Sequence, residues 1–229
     1  MTGATIPRYD KERVRTVGDR AVVVGASMAG MVSARVLADA FGQVTLLEHD
    51  PLPDEPEIRR GVPQGHHVHA MLEAGRKTLD DLFAGYSDAL VAAGAELIDL
   101  STDFDFHDEG DFVAGGSNHL PMYCASRPLF EDVTRRMLAE INNVRLRDAC
   151  HLLDHLADEQ ASTITGVQIR NEAGGIEDIS ADLVVDCTGR TSSTPNWLET
   201  HGYRRPPRDE VEIDLAYGTI TVDRPADDR

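Results

Sequence analysis

Apolar positions along the chain fall into short runs separated by turn residues, and the period of each run predicts an element. Residues 1–19 read as a polar lead-in with one short helix. Ala21 to Val24 is an unbroken apolar run that ends at Gly25; an alanine-rich helical stretch follows, then a second run, Val44 to Leu47, closed by Glu48. A Pro- and Asp-rich loop over Asp50–Gln64 interrupts the pattern, and a helix is predicted from His66 to Phe83 with Leu72, Leu79 and Phe83 near one face. Leu97–Phe106 and Asp111–Tyr123 alternate as strands about a turn at Asp108–Gly110. Ser126 followed by Pro128 predicts a capped helix running to Ile141. Strands are predicted over Val144–Arg147, Cys150–His155, Ile164–Asn171 and Ile176–Ile179, the last two joined by an Ala173-Gly174-Gly175 turn. Leu183–Asp186 reads as a buried strand, Trp197–His201 as a short helix and Val211–Val222 as a final strand.

Strand, glycine turn, helix, strand and acidic residue, in that order, form a dinucleotide-binding βαβ unit. Gly25 permits the sharp turn and Gly30 lets helix and strand approach closely, while Ser27 replaces the middle glycine of the usual fingerprint. Backbone N–H groups of Met28, Ala29 and Gly30 open the helix, where its dipole favours a pyrophosphate. Glu48 stands where a carboxylate accepts ribose hydroxyls. The competing reading is a bare structural turn before a helix.

Charge narrows the classes of partner. The 229 residues carry 40 acidic against 22 basic side chains, a net charge of −18, and the lysines are Lys11 and Lys77 alone. Such a surface repels nucleic acid and anionic lipid. Spread along the whole chain, the acidity is that of a halophile's cytoplasmic protein, the alternative being an ordinary acidic protein. Residues 1–20 lack the apolar stretch of a signal peptide, and no window approaches a membrane span. Cys124, Cys150 and Cys187 match no metal or redox spacing and are expected to be plain thiols. His66, His69 and Glu73 would share one face of the predicted helix, yet no second ligand cluster accompanies them, and no metal site is expected.

The segment Ala181-Asp182-Leu183-Val184-Val185-Asp186-Cys187-Thr188-Gly189-Arg190-Thr191-Ser192 resembles the ADLVVDATGRxS motif of FAD-dependent oxidoreductases, in the broad group of flavin monooxygenases and geranylgeranyl-reductase-like enzymes. The Gly25–Gly30 fingerprint, Arg59–His69 and Ser126–Glu131 agree with it in the family's order. The resemblance implies an α/β fold: a Rossmann-like FAD-binding domain with a β-meander over residues 20–205, strands at about 97–123 facing the substrate side, and the start of a substrate-domain sheet over 206–229.

By the same resemblance, Gly25, Ser27, Met28, Ala29 and Gly30 cradle the FAD pyrophosphate, and Glu48 with the neighbouring His49 lies at the adenosine ribose. Arg60, Gly65 and His66 belong to the segment beside the isoalloxazine, with a plain helix start as the alternative for the histidines. Arg127 reaches the phosphate or ribose side unless it is a helix-cap arginine, and Gly189 admits the adenosine half. Asp186 either contacts the cofactor or satisfies turn amides. No general base or nucleophile stands out. The implied activity is oxygen transfer from a flavin hydroperoxide to a lipophilic small molecule, with NAD(P)H as electron donor; isoprenoid double-bond reduction and a non-catalytic nucleotide-binding remnant are the alternatives. The family's later Gly-Asp motif has no counterpart, so a truncated member, or one completed by a partner or a second copy, is expected.

Overall fold

The computed structural model describes residues 8–116, 119–220 and 222–223. Its centre is the βαβ unit: β1 (Gly18–Val24), α1 (Met28–Ala38) and β2 (Phe41–Leu47), the two strands parallel and in register from Gly18 opposite Phe41 to Val24 opposite Leu47. A short 3-10 turn at Lys11–Arg13 precedes it. Then come β3 (Val68–Met71), α2 (Glu73–Leu82), α3 (Tyr86–Ala92), β4 (Glu96–Asp99), β5 (His107–Asp108), β6 (Asp111–Phe112), β7 (Pro121–Ser126) and α4 (Arg127–Ala139). The chain continues through β8 (Val144–Arg147), β9 (His151–Ala157), β10 (Ile164–Arg170), β11 (Ile176–Ser180), β12 (Leu183–Asp186) and α5 (Thr194–Thr200).

The main sheet has the order β12-β1-β2-β8, and its pairings are all parallel. A parallel sheet is covered on both faces, which explains why β1 and β2 read as continuous apolar runs rather than alternations. Ala21, Val23, Val44 and Leu46 point into one core with Met31 and Ala34 of α1, Tyr86 and Leu90 of α3, and Phe130, Val133 and Leu138 of α4. Val22, Val24 and Leu47 point the other way, against Val167 and Ile169 of the β9–β10–β11 antiparallel meander. Burying each of these large aliphatic side chains contributes ~1.5–3 kcal/mol, so the turn between β1 and α1 is fixed by packing on both faces. The meander returns the chain as β12 beside β1, which carries Asp186 and Gly189 to the same sheet end as Gly25. No described helix is long and apolar enough to cross a membrane.

Three expectations need correction. The helix expected from His66 begins at Glu73; the residues before it form a 3-10 turn at Pro63–His66 and then β3. Antiparallel pairing of Val68–Met71 with Tyr123–Ser126 of β7 supplies backbone partners that outweigh helical periodicity. His66, His69 and Glu73 therefore do not share a helix face, and His69 Nδ1 lies 2.9 Å from the carbonyl of His67. The strands expected over 97–106 and 111–123 are shorter: β4 pairs with β7, and a separate two-residue ribbon, β5–β6, forms about the expected turn at Asp108–Gly110. Residues 203–220 form no helix or strand, although Val211, Ile213, Leu215 and Tyr217 alternate as a strand would. That segment is exposed, Val211 by 90%, because an alternating run becomes a strand only against a neighbour that pairs with it. His67 Nδ1 to Thr219 Oγ1, at 2.8 Å, ties it to the start of β3.

Candidate functional site

Two glycines make the turn between β1 and α1 possible. Gly25 has φ +100°, and a Cβ there would lie 2.7 Å from the carbonyl oxygen of Cys187. A Cβ on Gly30 would lie 1.7 Å from the carbonyl oxygen of Gly25, so helix and strand touch backbone to backbone. Ser27 is the N-cap of α1 in extended conformation, yet its hydroxyl does not cap the helix. It donates instead to Glu131 Oε1 at 2.6 Å and accepts from Arg127 Nη2 at 2.8 Å. The first intrahelical bond runs from Met31 N to Ser27 O at 3.0 Å. Met28, Ala29 and Gly30 thus present first-turn N–H groups without a side-chain cap, the arrangement that receives an anion.

A buried ionic brace holds the turn. Glu48, at the end of β2, accepts from Ala26 N through Oε2 at 2.6 Å and from Asp50 N through Oε1 at 3.0 Å. Arg59 Nη1 stands 3.3 Å from Glu48 Oε1 and 3.8 Å from Asp50 Oδ2, while its Nη2 donates to Glu131 Oε2 at 2.8 Å. The Arg59 side chain is 5% exposed, and its Nε–H is buried without a partner. Burial works against the guanidinium charge, but Glu131, Glu48 and Asp50 outweigh it and raise its pKa. Burial likewise pushes the Glu131 carboxyl up, and hydrogen bonds from Ser27 and Arg59 reverse this and hold it below its ordinary value. Ile58, Val62, Arg127 and Pro128 line the surface beside Arg59 and Glu131.

Arg127 follows Ser126, whose Oγ accepts from Leu129 N at 3.2 Å and caps α4 as the sequence predicts. One turn on, Glu131 accepts from Arg127 Nε at 3.0 Å. Gly25, Ser27, Gly30, Glu48 and Arg127, nominated from the sequence, therefore converge on one turn. Met28 joins from α1, its sulfur 3.6 Å from Thr134 Oγ1. Arg59 and Glu131 are what sequence reasoning missed. The sequence reading singles out Arg60, but Arg60 is exposed and Arg59 buried. Nothing in an Arg-Arg pair distinguishes the two; the available signal for Glu131 was its spacing of one helical turn from Arg127.

The remaining nominated residues sit at the margins. His49 is exposed, with Nδ1 2.9 Å from Asp50 Oδ1 and its ring edge-on to His151 at 4.4 Å. Gly65 is buried against Ile58, and His66 is exposed at the end of its 3-10 turn. Among the described residues no hydrogen bond joins Arg60 or His66 to the glycine turn. Asp186 accepts from Thr188 N at 2.9 Å and from the hydroxyls of Thr188, Ser192 and Thr194 at 2.5, 2.6 and 2.5 Å. Burial raises its pKa, but the bonds from Ser192, Thr188 and Thr194 prevail and lower it. Gly189, φ +71°, adjoins open space. Glu48, His49 and Asp50 bring ligand atoms within 4.8 Å of one another, yet both carboxylates are committed to Arg59 and backbone amides, which makes the group a brace rather than a metal centre.

An uncapped helix start, two glycines with no room for a side chain and the Arg127 guanidinium beside them suit a pyrophosphate-containing cofactor. No protein-family model matches the chain. It is 35% identical over 216 residues to Protein Rv3254 of Mycobacterium tuberculosis, an alignment spanning 90% of this chain and 45% of that protein. The chain thus spans less than half the length of the curated relative it matches. Among solved structures it is similar to p-nitrophenol 4-monooxygenase PnpA from Pseudomonas putida (TM-score 0.59, 19% identity, 80% of this chain and 44% of that one). It is also similar to the myxobacterial chondrochloren halogenase CndH, an FAD-dependent halogenase (TM-score 0.56, 20% identity, 77% and 38%). Aklavinone-11 hydroxylase, solved with FAD and aklavinone, aligns with TM-score 0.55 at 18% identity over 79% and 35%. The chain shares with these proteins an α/β fold built on a Rossmann-type parallel sheet.

Proposed function

We propose that the chain binds FAD and forms the cofactor-holding part of an FAD-dependent oxidoreductase, a monooxygenase acting on a lipophilic small molecule with NAD(P)H as electron donor. The observation that carries the reading is the turn itself: Gly30 has no room for a Cβ, and the first-turn amides of α1 lack a side-chain cap while Arg127 and Ser27 stand beside them. The similarity in fold to FAD-dependent enzymes supports FAD over other dinucleotides. The amides of Met28 to Gly30 and the Arg127 guanidinium would hold the pyrophosphate. Oε1 of Glu48 is taken by Asp50 N and Arg59, and Oε2, which serves Ala26 N alone, would keep a lone pair for a ribose hydroxyl. FAD would supply the redox and oxygen chemistry; the protein supplies position and field.

The test is direct. Protein purified without added cofactor, or reconstituted with FAD, should release FAD on denaturation and show flavin absorbance before it. Gly30→Val should abolish that binding, because the side chain must drive α1 off β1. Release of NAD alone, or equal FAD binding by Gly30→Val, would overturn the reading.

A further inference from the structure

We propose that Glu131 is an internal competitor for the dinucleotide's phosphate, sharing Ser27 and Arg127 with the ligand and thereby setting how tightly an anionic nucleotide is held; this rests on the nucleotide-binding reading above. Glu131 divides its two carboxylate oxygens between different duties. Oε2 faces inward to Arg59 Nη2 at 2.8 Å, a guanidinium whose side chain is 5% exposed. Oε1 faces the turn and takes the Ser27 hydroxyl at 2.6 Å and Arg127 Nε at 3.0 Å. The inner oxygen is clamped, while the outer one holds the two side-chain donors that stand at the start of α1.

Those donors are the ones a phosphate at the first-turn amides would use. Ser27 is the N-cap residue of α1, and its hydroxyl is drawn away from its own helix to Glu131. Arg127 spans the same gap, donating to Ser27 and to Glu131 at once. The charge balance adds to the conflict. Glu48, Asp50 and Glu131 face Arg59 and Arg127, so the cluster holds one carboxylate in excess before any phosphate arrives. A second anion within reach of the same donors is disfavoured by like charge, and it gains the Ser27 hydroxyl and Arg127 Nε–H only as Oε1 yields them. Glu131 accordingly weakens the grip on phosphate and leaves the grip on the adenosine moiety untouched.

A purely structural role predicts the opposite. Loss of a buried partner of Arg59 would loosen the turn and weaken every ligand alike. Calorimetric titration of the full chain with ADP and with adenosine separates the two. Glu131→Gln is isosteric: its amide oxygen still accepts from Arg59, and its NH₂ no longer offers Arg127 and Ser27 a negative acceptor. ADP should bind about tenfold tighter with adenosine unchanged. Glu131→Asp keeps the charge at Arg59 but withdraws the carboxylate from Ser27, and it too should tighten ADP selectively. Should Glu131→Gln fail to fold, Glu131→Asp decides alone. ADP bound equally or more weakly by the folded variants, or loss of fold in both, overturns the competitor role. If the unsubstituted chain binds neither ADP nor FAD, the nucleotide-site reading itself fails, a result distinct from wild-type binding that the variants do not improve.

Discussion

Asp186 shows how a site residue can be spent on its own loop. Its carboxylate collects one amide and the hydroxyls of Thr188, Ser192 and Thr194, and Thr194 Oγ1 in turn lies 3.1 Å from His155 Nε2. The Cys187–Gly189 backbone, against which Gly25 turns, is thereby held in shape from below. These bonds favour the ionised carboxyl and depress its pKa against the cost of burial. A depressed carboxyl contributes stability that is fully present above its unfolded-state value, ~3.9, and lost as pH falls through the folded-state one. Asp186→Asn should therefore cost ~1–3 kcal/mol near neutral pH, since the amide NH₂ meets hydroxyl donors. The difference from the parent should shrink towards zero in acid, once the parent's own carboxyl is protonated. Denaturant titrations across the acid range check this; a gap that stays constant with pH would mean that the charge of Asp186 is idle.

Elements were legible where the signal was local. The cap of α4 is one such signal: Ser126 precedes Pro128, and the hydroxyl accepts from Leu129 N as the sequence implies. Ser126→Ala should lower stability by ~1 kcal/mol and loosen Arg127, the first residue of that helix; a melting shift with no change in nucleotide affinity would separate the cap from the site. The β1–α1–β2 unit and the β10–β11 hairpin were readable for the same reason, since glycine turns and periodicity are written in adjacent residues. What failed needed distant partners. Val68–Met71 becomes a strand through β7, more than fifty residues away in sequence, and residues 211–220, with a good strand pattern, stay irregular. The candidate site divides in the same way. Gly25, Gly30 and Glu48 announce themselves through spacing, whereas Arg59 gains its role from three carboxylates on other segments. A one-residue choice between Arg59 and Arg60 is decided by burial, which no local pattern records.

At the scale of the whole molecule, opposing electrostatic effects can be weighed. Surface pairs such as Arg76 with Glu73 and Asp80, or Arg147 with Glu177, favour the fold but contribute only ~0–1 kcal/mol each and weaken in salt. Against them stands the unbalanced charge of −18, with Asp54, Glu55 and Glu57 exposed on one loop. Repulsion within that excess acts over many pairs and is strongest when the screening length is long, about 30 Å at 10 mM salt against ~3 Å at 1 M. Screening therefore removes more destabilisation than stabilisation, and the melting temperature should rise with KCl. Most of that rise should come below a few tenths molar, where the screening length changes fastest. The buried brace around Arg59 lies out of reach of mobile ions and should hold throughout. A melting temperature independent of KCl would show that the surface pairs balance the excess charge. A rise continuing linearly to molar salt would point instead to preferential exclusion strengthening apolar burial, so the curvature of the salt dependence, more than its sign, identifies self-repulsion as what this acidic surface costs the fold.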